Sequence, residues 1–268
     1  MAAARRKIIT DADTGADDAL SILIGCALAD VLCIGCTDGN VTAAVATDNT
    51  LRLLEAAGLA SPVATGLPWH SSEGRHWGRA FDDIFPSPPS AQSQGAAHQL
   101  LVREALQQPP CSLTLVCTGP LQNIGAAIAH AESLGKLDLF LGRFQTVVVM
   151  GGLCNPTSWD GELPSHAEFN IRADVDGSRK LWGAPWPESV SFVLVPIDPI
   201  ARAPLLWDDV SKVEALMQTG SARASAGTAA LLIYQAPACS TDLLTTLAVR
   251  SVGGARQART AGRGDAQE

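Results

Sequence analysis

The chain alternates short apolar segments with segments of helical periodicity, and this alternation constrains the fold more than any other feature. Apolar strand patterns are predicted at residues 7–10, 31–37, 62–65, 112–117, 146–150 and 191–196. Helical patterns are predicted at residues 17–28, 43–57, 96–107, 123–133, 176–182, 205–216 and 226–236. The strands are apolar throughout, which is typical of strands buried on both faces. The sequence therefore predicts an α/β fold with an open, mostly parallel central sheet flanked by helices.

The composition favours one folded domain over residues 1–250. Hydrophobic side chains make up 47% of the 268 residues, which is enough for one sizeable core. Residues 251–268 are rich in Gly, Arg and Ala and have no apolar period, and we expect a disordered tail there. Two long loops are predicted at residues 66–93 and 153–166, and loops of this length are usually functional or disordered.

Charge and apolar run length argue against two classes of partner. The net charge of −8 disfavours nucleic acid, which binds clustered Lys and Arg side chains. The longest apolar run, at residues 19–29, is shorter than the roughly 20 residues that a membrane-spanning helix needs. No apolar segment follows the basic first residues, which argues against a secretion signal. We therefore expect a cytoplasmic protein without a membrane partner.

The seven cysteines do not form the pattern of a disulfide framework, because they are odd in number and scattered over a long chain. Cys33 and Cys36 form a CxxC motif, which could be a redox or metal-binding pair or a pair of packed core residues. Packing is favoured because both residues lie within a predicted buried strand, and free cysteine is among the most buried residue types.

A dense cluster of carboxylates follows the first predicted strand. Asp11 and Asp13 follow this strand, Gly15 permits a tight turn, and Asp17 and Asp18 begin the next helix. One Asp would serve as a helix cap, but four within eight residues repel one another unless a positive group lies among them. The carboxyl ends of parallel strands are also where ligands bind. The cluster therefore predicts a divalent cation held by oxygen ligands, Ca²⁺ or Mg²⁺ in preference to zinc.

The sequence of this cluster, DADTGADDAL, resembles the DxDxGxDD signature of the nucleoside hydrolases, the inosine-uridine-preferring ribonucleoside hydrolase family. Four further segments resemble family motifs in the same order: residues 38–42 with Asn49, then 117–123, 149–152 and 167–171. The resemblance covers about residues 7–249. It implies the nucleoside hydrolase fold with a Rossmann-like core, and hydrolysis of purine nucleosides, uridine or both to free base and ribose, in nucleoside catabolism or salvage.

The resemblance also implies a Ca²⁺ ion that holds a water molecule and the ribose hydroxyls. The implied metal ligands are Asp13, Asp18, the main-chain carbonyl of Thr118, and Asp242. Asp13 is implied as the catalytic base that takes a proton from the water. The ribose hydroxyls are assigned to Asp17, Asn40, Glu168 and Asn170. Family members commonly assemble, and we expect a homodimer or homotetramer.

The motifs do not identify the residues that bind the base, and three residues outside them are candidates for substrate contact. Trp77 lies where purine-preferring members stack an aromatic ring on the base, or it packs locally in a surface loop. His76 beside it is a candidate acid for the leaving base, or a solvated loop residue. Glu162 stands where the family often has an Asn that contacts ribose, and we expect it to be a substrate contact of altered charge.

Two other departures from the family pattern bear on activity. Thr241 precedes Asp242 where the family usually has His or Trp, which would weaken or relocate leaving-group activation. The family also continues beyond the position of residue 250, and we expect a C-terminally shortened fold. The alternative is a catalytically impaired homologue that binds ribonucleosides. A phosphatase of the haloacid-dehalogenase type is disfavoured, because Gly15 stands where that class has Thr or Val.

Overall fold

The computed structural model describes residues 5–68, 87–154 and 168–200. The described strands are β1 (Arg6–Ala12), β2 (Ala29–Cys36), β3 (Val63–Thr65), β4 (Leu113–Cys117), β5 (Phe144–Met150) and β6 (Ser191–Val195). The described helices are α1 (Ala16–Leu28), α2 (Ala43–Ala56), α3 (Ala97–Leu106), α4 (Gln122–Ser133), α5 (Leu137–Leu141), α6 (Phe169–Ala173), α7 (Val175–Gly183) and α8 (Ile197–Ile200).

The six strands form one sheet in the order β3-β2-β1-β4-β5-β6, and every described pairing is parallel. The prediction of an open sheet flanked by helices is confirmed, with parallel pairing throughout rather than in most strands. The strand order reverses between β1 and β4, which makes this pair the topological switch point of a doubly wound sheet. The register pairs Asp11 with Cys117, and both strands end at the same edge.

Apolar side chains cover both faces of the sheet. On one face, α1 and α2 pack on β1 to β3 through Ile22, Leu53 and Ile34. On the other face, α3 and α4 pack on β1, β4 and β5 through a larger cluster that includes Leu100, Ile124, Leu115 and Val147. All five residues of β4 are buried. This double coverage explains the uninterrupted apolar sequence of the central strands.

The CxxC motif is confirmed as a packing pair. Cys33 and Cys36 lie in β2 with no exposed surface, and both are free thiols. Burial raises the pKa of the Cys36 thiol to about 12, which keeps it protonated at neutral pH. A buried, protonated thiol is inert, and it serves the core as a small apolar side chain.

The structure adds short helices that the sequence patterns missed. The helices α5, α6 and α8 have only four or five residues each, which is too short for a helical period to show. The predicted helices at 205–216 and 226–236, most of the two predicted loops, and the predicted tail lie outside the described residues. Within the described residues, no helix is both long and apolar enough to span a membrane.

The crossing of α4 and α7 depends on two glycines in contact. A Cβ atom added at Gly125 would lie 2.6 Å from the Cα atom of Gly177. We predict that Gly125→Ala forces the helices apart and lowers the free energy of unfolding by about 1–3 kcal/mol. Urea unfolding measures this. The matched control is Gly183→Ala, whose added Cβ meets nothing within 4 Å, and equal destabilisation of the two variants would contradict the prediction.

Candidate active site

The acidic cluster lies at the switch point, on the segment that links β1 to α1. Asp13 follows the last residue of β1, and Asp17 and Asp18 belong to the first turn of α1. Thr118 follows the last residue of β4, the neighbouring strand. The helices that follow these two strands pack on opposite faces of the sheet, which is the arrangement in which doubly wound sheets bind ligands at the carboxyl edge.

Asp13 is surrounded by backbone that approaches closely from two sides. The Asn40 amide donates a hydrogen bond to its Oδ2 atom, at 2.5 Å. A Cβ atom added at Gly39 would overlap that carboxylate, and one added at Gly119 would lie 2.8 Å from its Oδ1 atom. Only glycine at both positions leaves room for the side chain, which is 1% exposed.

Asp18 joins α1 to the end of β4. Its Oδ2 atom accepts a hydrogen bond from the Gly15 amide at 2.8 Å, which ties down the start of the helix. Its Oδ1 atom accepts a hydrogen bond from the Thr118 hydroxyl at 2.6 Å. An ionised carboxylate has about four acceptor positions, and these two bonds leave each oxygen able to bind a further positive group. The Asp18 amide donates to the Asp17 Oδ1 atom at 3.2 Å.

Glu168 and Asn170 lie next to Thr118, on the side of β4 where β5 lies. Glu168 caps α6 and accepts hydrogen bonds from the amides of Asn170 and Ile171, at 2.9 and 3.1 Å. It also accepts one from the Gly152 amide at 3.0 Å, which fixes the end of β5. The Asn170 side-chain amide donates to the Thr118 carbonyl at 2.8 Å. Asn170 and Thr118 therefore link the ends of β4 and β5.

The aspartates are crowded and shielded from water. Burial raises the pKa of Asp13 well above its ordinary range, and the charges of Asp18 and Asp17 raise this pKa further. Burial also raises the pKa of Asp11 to about 8, although the hydrogen bond from Asn123 partly offsets this rise. Several carboxylates in one buried place are stable as anions only when a positive group neutralises them.

A profile of the "Inosine-uridine preferring nucleoside hydrolase" family matches residues 8–255. The chain belongs to this family. One nucleoside hydrolase relative, the "Pyrimidine-specific ribonucleoside hydrolase RihA" of Shewanella sp. (strain ANA-3), is 28% identical over 223 residues, covering 79% of this chain and 65% of that protein. A second, the "Probable uridine nucleosidase 1" of Oryza sativa subsp. japonica, is 32% identical over 185 residues, covering 65% of this chain and 54% of that protein.

A solved structure also shares the fold of this chain. It is titled "Plant nucleoside hydrolase - PpNRh1 enzyme" and superposes with a TM-score of 0.71 at 23% sequence identity. The superposition covers 91% of this chain and 78% of that one. The matches span about half to two thirds of the length of the curated relatives, for example 67% of one and 52% of another.

The described residues of the candidate site lie together at the switch point in two hydrogen-bonded groups. Direct hydrogen bonds join Asp13 to Asn40, Asp17 to Asp18, Asp18 to Thr118, Thr118 to Asn170, and Asn170 to Glu168. Asp13 and Asp18 also face each other closely enough to shift the pKa of Asp13. The roles of these residues in binding and catalysis remain predictions. Trp77, His76, Glu162, Thr241 and Asp242 lie outside the described residues.

The donors at this site suit a hard divalent cation. Among the residues that the structure describes, no group of three His, Cys, Asp or Glu side chains is placed to hold a metal. The ligands expected from the sequence explain this absence, because Asp13 and Asp18 are the only carboxylate ligands among them that the structure describes. The third expected ligand is a main-chain carbonyl, and the fourth, Asp242, is not described. The donors present are all oxygens, as Ca²⁺ and Mg²⁺ prefer.

The sequence analysis gave no role to two buried residues beside the site. Asp11 belongs to the acidic cluster, and Asn123 ends the segment at residues 117–123, but neither matched a family function. The Asn123 side-chain amide donates a hydrogen bond to the Asp11 Oδ1 atom at 2.8 Å. The sequence marks each residue singly, as a polar residue beside continuous runs of core positions, but it carries no signal of their pairing.

The pKa of Asp11 leads to a prediction about stability in the absence of metal. Because burial raises this pKa from an unfolded value near 4 to about 8, the folded protein keeps a proton that the unfolded chain releases. In chelator, the free energy of unfolding therefore falls as the pH rises from about 4 to about 8, by up to about 1.4 kcal/mol per pH unit from this group. Urea unfolding across this pH range measures the slope.

Asp11→Asn removes this titrating group and is expected to make that slope shallower, although Asp13, whose pKa is also raised, still contributes to it. The control is Asp176→Asn, which changes an Asp whose side chain is 84% exposed and is expected to keep the wild-type slope. An unchanged slope in Asp11→Asn would contradict the account of the buried carboxyl.

Proposed function

We propose that this nucleoside hydrolase cleaves the N-glycosidic bond of purine ribonucleosides, uridine or both, and releases free base and ribose. The observation that carries the proposal is the buried set of Asp13, Asp18 and Thr118 at the switch point of the sheet. The names of two relatives, a pyrimidine-specific ribonucleoside hydrolase and a probable uridine nucleosidase, support the uridine branch. A cytoplasmic location and a homodimer or homotetramer belong to this proposal as expectations from sequence.

In this proposal the cation is Ca²⁺, and its ligands are Asp13, Asp18, the Thr118 carbonyl and Asp242. When bound, calcium lowers the pKa of a water molecule and neutralises the crowded carboxylates. The fit rests on the remaining acceptor positions of Asp18 and on the oxygen atoms that Asp13, Asp18 and Thr118 offer. Asn170 now donates to the Thr118 carbonyl, which has a second lone pair for the cation.

Asp13 is proposed as the catalytic base that accepts a proton from the attacking water at its carboxylate. Its position supports this role, because the Asn40 amide holds its Oδ2 atom and the close backbone at Gly39 and Gly119 confines the side chain. A base held in one orientation needs no rearrangement at the moment of proton transfer. The backbone amide of Asn40 stabilises the ionised form on which the transfer depends.

Cleavage of the glycosidic bond develops positive charge on the ribose ring, as in other glycoside hydrolyses. The site opposes this charge with the carboxylates of Asp13, Asp17, Asp18 and Glu168. Glu168 is held by three backbone amides, at 2.9 to 3.1 Å, which leaves about one acceptor position for a ribose hydroxyl. We propose that Glu168 receives one hydroxyl in this way, with Asp17, Asn40 and Asn170 as the other ribose contacts.

The leaving base and the ribose have further proposed contacts outside the described residues. Trp77 and Glu162 are proposed as further substrate contacts, from sequence. Thr241 stands where relatives by resemblance carry His or Trp, and it favours a second candidate, a ribonucleoside-binding protein with impaired catalysis. The two candidates differ in turnover, because the second binds ribonucleoside and calcium but releases no base.

The substitution Asp13→Asn tests the proposed base. It removes the proton acceptor while keeping the shape of the side chain, and we predict that kcat for base release falls by about 10²–10⁴-fold. The measurement is base and ribose release from a panel of inosine, adenosine, guanosine, uridine and xanthosine, with calcium present. The panel also ranks the bases.

The matched control is Asp138→Asn, which changes an exposed Asp on α5 and is expected to leave the rate unchanged. A wild-type rate in Asp13→Asn would remove Asp13 from the mechanism. Bound ribonucleoside without release in well-folded wild-type protein would establish the binding protein instead.

A further inference from the structure

Asp11 holds both ends of the turn that carries Thr118. Its main-chain carbonyl accepts a hydrogen bond from the Thr118 amide at 2.9 Å, at the start of the turn. Its side-chain Oδ1 atom accepts a hydrogen bond from the Asn123 side-chain amide at 2.8 Å, where the turn has become α4. One residue of β1 thereby closes residues 118–123 into a loop of fixed shape.

The surrounding backbone makes room for this pair of side chains. A Cβ atom added at Gly35, on β2, would overlap the Asp11 Oδ1 atom. A Cβ atom added at Gly66, after β3, would lie 2.5 Å from the Asn123 Oδ1 atom. Both members of the pair are buried, with 1% of Asp11 and none of Asn123 exposed. The space for this pair therefore depends on the absence of a side chain at Gly35 and at Gly66.

The pair is poorly explained by stability alone. Within the described residues, the Asp11 Oδ2 and Asn123 Oδ1 atoms are buried and have no hydrogen-bond partner. Buried polar groups with unmet hydrogen bonds cost stability, and an apolar pair of similar volume would avoid this cost. Buried polar atoms without hydrogen-bond partners are expected chiefly at functional sites, where a role other than stability retains them.

We propose that Asp11 is a positioning residue, which acts through Asn123 and the turn to aim the Thr118 carbonyl into the site. The carbonyl lies between the two fixed ends of this arrangement, and the Thr118 hydroxyl is held on Asp18 at 2.6 Å. Asp11 itself contacts neither substrate nor cation in this proposal. The inference rests on the proposed function, since the Thr118 carbonyl is there a ligand of calcium.

Three substitutions separate positioning from general stability. Asp11→Ala and Asn123→Ala each remove one partner of the hydrogen bond, whereas Asp11→Asn keeps an acceptor at the same place. The structural control is Val102→Ala on α3, which removes buried volume at a core residue that is 2% exposed. All four variants and the wild type are compared by hydrogen–deuterium exchange at residues 118–122, where every residue except Pro120 has an exchangeable amide, and by calorimetric titration with calcium alone.

We expect exchange at residues 118–122 to rise and calcium affinity to fall, each by at least about tenfold, in Asp11→Ala and Asn123→Ala. Asp11→Asn is expected to keep both near wild type, and Val102→Ala to lose thermal stability without either change. Where Asp11→Ala does not fold, Asn123→Ala gives the same comparison. Wild-type exchange and calcium affinity in Asn123→Ala, or equal losses in Val102→Ala, would overturn the proposal.

The exchange measurement also separates this inference from the proposed function. If the wild-type protein binds no calcium, the metal assignment is wrong, and exchange alone then decides whether Asp11 fixes the turn. If the wild type binds calcium but the turn is unaffected in Asn123→Ala, the metal assignment stands and the positioning role of Asp11 is wrong.

Discussion

The site depends on the repulsion between carboxylates that the fold buries at one point of the sheet. Asp11, Asp13 and Asp18 are each no more than 1% exposed. Burial of a charge costs several kcal/mol unless hydrogen bonds or an opposite charge compensate for it. The chain supplies part of this compensation through the Asn40 and Gly15 amides and the Thr118 hydroxyl. In the proposed function, a hard cation supplies the remainder.

The sheet topology gives this cluster its place. Because β1 and β4 are neighbours and their helices leave toward opposite faces, the two strand ends open into one crevice. Asp13 and Thr118, more than a hundred residues apart in sequence, meet there through the β1–β4 register. The fold was predictable because its strands are continuous apolar runs between helical periods. The one-turn helices α5, α6 and α8 were not, because one turn shows no period.

The site was predictable to the extent that its residues lie in short motifs. Asp13, Asp17, Asp18, Asn40, Thr118, Glu168 and Asn170 all come from such segments, and the described structure brings them together in two hydrogen-bonded groups. The pairing of Asp11 with Asn123 was not predictable, because a contact across 112 residues leaves no local pattern. The same is true of Gly119, whose value lies in the space it leaves for Asp13.

The central claim is that the acidic cluster acts only together with a divalent cation, and one measurement tests it most directly. Protein stripped with chelator is assayed for ribose release from uridine and inosine, before and after calcium is restored, with circular dichroism to confirm that it stays folded. The account predicts negligible release without calcium and recovery on its addition. Full release by the folded, metal-free protein would contradict it, as would no release by the folded, calcium-loaded protein.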